Sequence, residues 1–162
     1  MTQRTAIHPW TETEATEIVA AHKDMPGAML PILHALQETF GYIDQGVIPI
    51  VADALNVSRA EVHGVIGFYH DFRTELPGRL VFKVCRAEAC QSMGCDSLIA
   101  HLERKLKTKL GGTSADGAVT VEAVYCLGNC ALSPAAMLDG KLYGRVSPGT
   151  ADRLLDAARS KA

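Results

Sequence analysis

The sequence has no apolar run approaching the ~20 residues that a membrane-spanning helix requires. Its first ten residues, Met1 to Trp10, contain no apolar stretch of the kind that directs secretion. No membrane span and no secretory leader are expected, and a soluble, cytoplasmic protein is. Charge of one sign is also missing: 16 Lys and Arg against 18 Asp and Glu leave a net charge of -2. No overall field therefore marks the chain as a nucleic-acid binder. No glycine-rich loop opens a helix, because Gly111-Gly112 follows one. Nothing in the chain is thus arranged to cradle the phosphates of a nicotinamide or flavin nucleotide. Cysteine is absent from residues 1–84, and no two cysteines stand in the C-x-x-C spacing of a dithiol oxidoreductase. Internal repeats and low-complexity segments are absent too.

What is present divides in two. Residues 1–76 carry 10 acidic and 4 basic side chains, and residues 77–162 carry 8 acidic and 12 basic. The acidic part reads as helical. Residues 1–10 look like an extended arm. Thr11 is an N-cap candidate for a helix reaching His22, with acids in its first turn and Ile18 and Val19 facing inward. A second helix is expected over 29–40, with Leu30, Leu33, Leu36 and Phe40 at helical spacing and Gly41 as its stop. A third is expected over 45–55. Ser58-Arg-Ala-Glu61 is a capping box that opens a fourth, reaching Tyr69 with Val62, Val65, Ile66 and Tyr69 on one stripe. Four short helices joined by tight turns make a small bundle. Trp10, Phe68, Tyr69 and Phe72 are placed in its core in preference to a docking surface.

At Thr74-Glu-Leu-Pro-Gly78 the period changes. A strand is expected over 80–84, then an amphipathic helix over 95–110 with Leu98, Ile99, Leu102, Leu106 and Leu110 inward. A flexible loop over 111–117 and a second strand over 119–124 follow. A strand–helix–strand unit implies parallel strands. Asp139-Gly140 between two short apolar runs is a two-residue hairpin signal. Ser147-Pro148 opens a last helix. The domains are drawn at 1–76 and 77–162, the second a small α/β sandwich.

The second domain holds all five cysteines. Cys85 and Cys90 follow the first strand as C-x4-C; Cys126 and Cys130 follow the second as C-x3-C, 35 residues intervening. Soft anionic thiolates are what iron–sulfur clusters need, and two irons ask for two ligand pairs. Two loops at adjacent strand ends supply them, so a [2Fe–2S] cluster is the leading expectation. Gly128 and Asn129 tolerate left-handed backbone, so the second loop can fold tightly and turn N–H groups toward the sulfurs. These spacings equally admit a structural zinc site, and with it a zinc-stabilised adaptor module. A Rieske centre would require histidines that neither loop contains. Cys95 also stands at C-x4-C from Cys90 and competes with Cys85; the strand-end position favours Cys85, leaving Cys95 as a small buried hydrophobe. The six histidines are read as structural or solvated, and no cysteine–histidine catalytic pair is evident.

Three stretches carry a resemblance: Cys85-x4-Cys90-x3-Gly94, Tyr125-Cys-Leu-Gly-Asn-Cys130-Ala-Leu-Ser-Pro134, and Met137 to Arg145. Together with Phe40-Gly-Tyr-Ile43, Leu55-Asn-Val-Ser58 and Glu61 to Tyr69, they resemble the thioredoxin-like [2Fe–2S] subunit family. That family supplies the small flavin-side subunit of respiratory complex I, and occurs in NAD-reducing hydrogenases and NAD-dependent molybdenum formate dehydrogenases. The stretch Ala131 to Gly140 looks most like the gamma subunit of the formate dehydrogenases. The resemblance implies an α+β fold, a four-helix bundle followed by a thioredoxin-like domain. It implies Cys85, Cys90, Cys126 and Cys130 as ligands, with Cys95 outside the pattern. It further implies a non-catalytic electron-transfer subunit, whose partners would be a flavin- and NAD-binding subunit and, in a formate dehydrogenase, a molybdenum-containing catalytic subunit.

Overall fold

The computed structural model describes residues 9–160. The arm expected over 1–10 therefore falls, except for Pro9 and Trp10, outside the described residues, as does His8. Two units divide the chain, Met1–Leu76 and Pro77–Ala162.

The first unit contains α1 (Glu12–His22), α2 (Met29–Phe40), α3 (Val47–Leu55) and α4 (Arg59–Phe68). Their ends are set locally. Thr11 accepts from the Glu14 N–H at the start of α1. Gly41 and Asn56, both left-handed, stop α2 and α3. Ser58 and Glu61 form the reciprocal capping box of α4. Isolated helices this short are marginal in water. What holds them is a shared apolar core that includes Val19, Leu33, Leu36, Phe40, Val51 and Val62. Each such large side chain, once fully buried, contributes about 1.5–3 kcal/mol. Trp10 packs against this core, its ring lying where a Cβ on Gly46 would sit. Phe72 is buried in it, with its ring 4.9 Å from that of His34.

Phe68 and Tyr69 depart from the expected core placement: they are 73% and 43% exposed. Phe68, the last residue of α4, lies off the buried face that carries Val62 and Ile66, and α4 ends one residue short of Tyr69. Tyr69 is already extended, at φ -90 and ψ 102, so its side chain no longer follows the helical stripe.

In the second unit β1 (Leu80–Cys85), β2 (Val119–Val124), β3 (Ala136–Leu138) and β4 (Lys141–Tyr143) form one sheet of order β2-β1-β3-β4. β1 and β2 are parallel; β3 pairs antiparallel with both β1 and β4. Asp139 and Gly140 both take positive φ, as a two-residue hairpin with the matching twist requires. Asp139 also accepts from the Val81 N–H, tying the hairpin tip to β1. The helices are α5 (Glu88–Ser92), α6 (Cys95–Leu106) and α7 (Pro148–Arg159). Leu98, Leu102 and Leu155 join Phe82, Val84 and Val121 in the core of this unit. Four strands and the surrounding helices give a thioredoxin-like fold.

Two expectations fail here for one reason. The helix expected to reach Leu110, α6, stops at Leu106, with Lys107 left-handed at φ 51. Residues 111–117, expected as a flexible loop, are tied down. The Gly111 N–H donates to Val121 O, the Val121 N–H to Gly112 O, and the Ser114 N–H to Val119 O. The free edge of β2 draws the segment out of the helix and pairs with it. Glu103 secures the exit by accepting from the Leu110 N–H.

Candidate metal centre

Register brings the two cysteine pairs to one end of the sheet. Cys85, the last residue of β1, lies opposite Val124, the last of β2, two residues before Cys126. The Cys85 N–H donates to Ala135 O, and the Arg86 N–H to Val124 O. Residues 86–94, 125–132 and 133–135 therefore meet at the same strand ends.

The inner pair is sealed. Cys85 and Cys90 are each 1% exposed and share a small buried cluster with Cys95 and Ala135. Cys90 does not sit in a loop, as expected, but in the short helix α5, a five-residue element too brief to show a period in the sequence. Burial, the strongest influence, pushes the Cys85 thiol up. The Ala87 and Leu127 N–H groups on its sulfur work against that, and the Cys90 neighbour adds to it. For Cys90 burial is again the largest single influence and acts upward. The Ser133 hydroxyl, the Ala135 N–H and Cys85 outweigh it together, and the net shift is downward. Ala135 N lies 3.4 Å and Ser133 Oγ 3.5 Å from Cys90 Sγ.

The outer pair is exposed. Cys126 Sγ and Cys130 Sγ are 3.7 Å apart. Gly128, left-handed at φ 71, donates its N–H to Cys126 Sγ at 3.3 Å. Asn129 takes an ordinary negative φ of -114 and leads into a 3₁₀ turn, Cys130–Leu132. The adjacent thiol of Cys126 holds the Cys130 thiol above its usual range.

Cys95, at 0% exposure, starts α6 beside the inner pair. Burial first, and then Asp96 and Cys90, raise its thiol against the pull of Arg86. Arg86 keeps its Nε–H buried with no acceptor among the described residues, although its Nη2 lies 3.6 Å from Asp96 Oδ1.

The residues fit a two-iron centre. Tetrahedral metal–thiolate bonds of about 2.3 Å place two sulfurs on one metal about 3.8 Å apart, and the outer pair meets that spacing. Among the described residues no group of three or more His, Cys, Asp or Glu side chains is placed to hold a single metal ion. Cys126 and Cys130 form one exposed pair, and Cys85 and Cys90 lie buried together with Cys95. The N–H donors around their sulfurs, and the unpaired Arg86 donor next in sequence, suit an anionic centre.

Sequence reasoning missed three participants. Ser133 and Ala135 reach Cys90 across a separation of more than 40 residues, which no spacing rule reveals. Gly144 backs the 3₁₀ turn: a Cβ there would lie 2.5 Å from Leu132 Cβ and 2.9 Å from Asn129 Nδ2. Of the histidines, His101 bonds Asp152 at 2.8 Å between α6 and α7, 51 residues apart.

A family model described as "Thioredoxin-like [2Fe-2S] ferredoxin" matches residues 15–159. The HndA subunit of the NADP-reducing hydrogenase of Solidesulfovibrio fructosivorans is 32% identical over 142 residues, covering 88% of this chain and 83% of that one. A subunit of the NADH-quinone oxidoreductase of Pseudomonas aeruginosa is 33% identical over 150 residues, covering 91% and 90%. Among solved structures, an NAD+-reducing [NiFe]-hydrogenase in the H2-reduced state shares the fold. It has a TM-score of 0.69 at 23% identity, over 80% of this chain, which spans 22% of the hydrogenase chain.

Proposed function

Since the chain belongs to the thioredoxin-like [2Fe–2S] ferredoxin family, we propose that it is a one-electron carrier subunit whose cluster Cys85, Cys90, Cys126 and Cys130 hold. The cluster supplies the one-electron redox couple. The chain supplies two thiolates per iron, with the Gly128 N–H on the outer pair and the Ala87, Leu127 and Ala135 N–H groups on the inner one. Asn129 belongs to this site as the residue that turns the chain into Cys130. The observation that carries the reading is the pair-by-pair arrangement of four thiols at one sheet end, the outer two 3.7 Å apart. Electrons are exchanged with a flavin in an NAD-binding partner subunit. The names of its relatives, one from a hydrogenase and one from an NADH-quinone oxidoreductase, support that partner class.

The parent complex is a finer proposal. The stretch Ala131 to Gly140 favours an NAD-dependent formate dehydrogenase, with a molybdenum-containing catalytic subunit among the partners. The relatives' names favour a hydrogenase or a complex I-type assembly. Identification of the chains that co-purify under anaerobic conditions distinguishes the three.

The cluster itself is tested by anaerobic purification. The expected product is red-brown, carries two irons and two sulfides per chain, and becomes EPR-active on one-electron reduction. A colourless protein that holds zinc and takes up no cluster on anaerobic reconstitution overturns the reading and leaves the structural zinc module in its place.

A further inference from the structure

Ser133 is a buried hydroxyl, in a residue 8% exposed, that touches both cysteine pairs. Its Oγ lies 2.7 Å from the Cys130 carbonyl oxygen, to which it donates, and 3.5 Å from Cys90 Sγ, from which it accepts. This arrangement belongs to a Cys90 that still carries its hydrogen. A metal-bound thiolate has none to give and becomes an acceptor. The hydroxyl needs only to rotate about its Cβ–Oγ bond to become the donor. The Cys130 carbonyl is not orphaned by that turn, because the Ser133 N–H also donates to it, at 3.3 Å.

Building on the [2Fe–2S] reading, we propose that the Ser133 hydroxyl donates a hydrogen bond to the Cys90 sulfur of the assembled cluster and so makes the cluster easier to reduce. Reduction adds one electron and hence negative charge to the centre. A donor on a ligand sulfur stabilises the reduced form more than the oxidised one. The effect is large here because the inner pair is sealed from water, where a hydrogen bond is electrostatically stronger. The Ala135 N–H already reaches Cys90 Sγ at 3.4 Å and is fixed by the backbone. The hydroxyl is the donor that a single substitution removes. Ser133 is a positioning and tuning residue in this account, not a ligand.

The test uses the full chain with its cluster, and iron and sulfide content of the wild type is measured first. Wild type, Ser133→Ala, Ser133→Gly and Ser133→Thr are then titrated by EPR at controlled potential. At the potential that half-reduces the wild type, Ser133→Ala and Ser133→Gly are expected to hold at least threefold less reduced relative to oxidised cluster. For a one-electron couple this is a negative shift of about 28 mV. Ser133→Thr, which keeps the hydroxyl, is expected to stay within that margin. Resonance Raman in heavy water gives a second readout: part of the deuterium shift of the iron–thiolate stretch is expected to vanish in Ser133→Ala.

Unchanged midpoints in Ser133→Ala and Ser133→Gly overturn the proposal, and so does a threonine variant shifted as far as alanine. If the alanine and glycine variants fold but hold no cluster while threonine does, Ser133 is a structural element of its loop and the tuning role falls. A wild type without iron and sulfide overturns the cluster reading itself and takes this proposal with it. That outcome is separate from a loaded protein whose variants fail to shift.

Discussion

Cys126 stands at φ 127, where a residue with a Cβ is held only by its surroundings. Left-handed Gly128 and the turn after Asn129 do the holding, so the loop arrives with its two sulfurs already paired. Cys95 provides the contrast. It is as buried as Cys85 but begins a helix instead of ending a strand. Cys95→Ala should therefore cost about 1 kcal/mol in chemical denaturation and leave the visible spectrum of the cluster intact. Cys85→Ser should lose or distort that spectrum. The reverse pattern would move the ligand from Cys85 to Cys95. Gly144 gives a second prediction at this scale. A methyl group there meets Leu132 Cβ at 2.5 Å and its carbonyl at 3.0 Å, so Gly144→Ala must displace the turn that carries Cys130. The expected outcome is a loss of about 1–3 kcal/mol and faster bleaching in a chelator. Gly64→Ala, where nothing lies within 4 Å, should instead stabilise α4 by about 0.5–1 kcal/mol.

Between elements, α6 and α7 are joined by a hydrogen bond and ion pairs. His101 Nε2 lies 2.8 Å and Lys105 Nζ 3.0 Å from Asp152 Oδ1, and Lys105 also reaches Asp156 at 3.4 Å. The bond from His101, with Lys105 adding to it and burial opposing, holds the Asp152 carboxyl below its usual range. A carboxyl lowered by folding lends stability above its unfolded value, about 3.9. That stability is lost as pH falls through the folded value. Denaturation midpoints of wild type and Asp152→Asn should therefore differ at pH 7 and begin to converge only as pH falls below about 4. The pair is a third exposed, so the gap at pH 7 should stay under about 1 kcal/mol. A gap that persists in acid would assign it to packing. Elements such as these also show what the sequence made legible. Helix starts at Thr11, Ser58 and Ser147 were readable because a cap is settled within three residues. The hairpin at Asp139-Gly140 was readable because its chemistry is local. The early end of α6 was not, because it depends on pairing with β2. The link between His101 and Asp152 and the reach of Ser133 to Cys90 were not, because each joins residues more than 40 positions apart. Spacing paired Cys126 with Cys130 but left Cys85 and Cys95 equal as partners of Cys90, and it showed none of the donors that surround the sulfurs.

Over the whole molecule, both units have apolar cores of their own. We expect residues 77–162, expressed alone under anaerobic conditions, to fold cooperatively and to show the visible spectrum of the full chain. A fragment that stays unfolded or colourless would mean that the boundary near Leu76 and Pro77 separates packing but not folding. The strip Gly111–Ser114 along β2 has a consequence for how this protein behaves when crowded. Strand edges left bare recruit the edges of other molecules and seed aggregates. In this sheet one outer strand is already occupied by the chain's own backbone. The other is β4, three residues long and beginning with a lysine. Two copies meeting edge to edge find almost no ladder to share, so concentrated solutions should resist fibril seeding from the sheet.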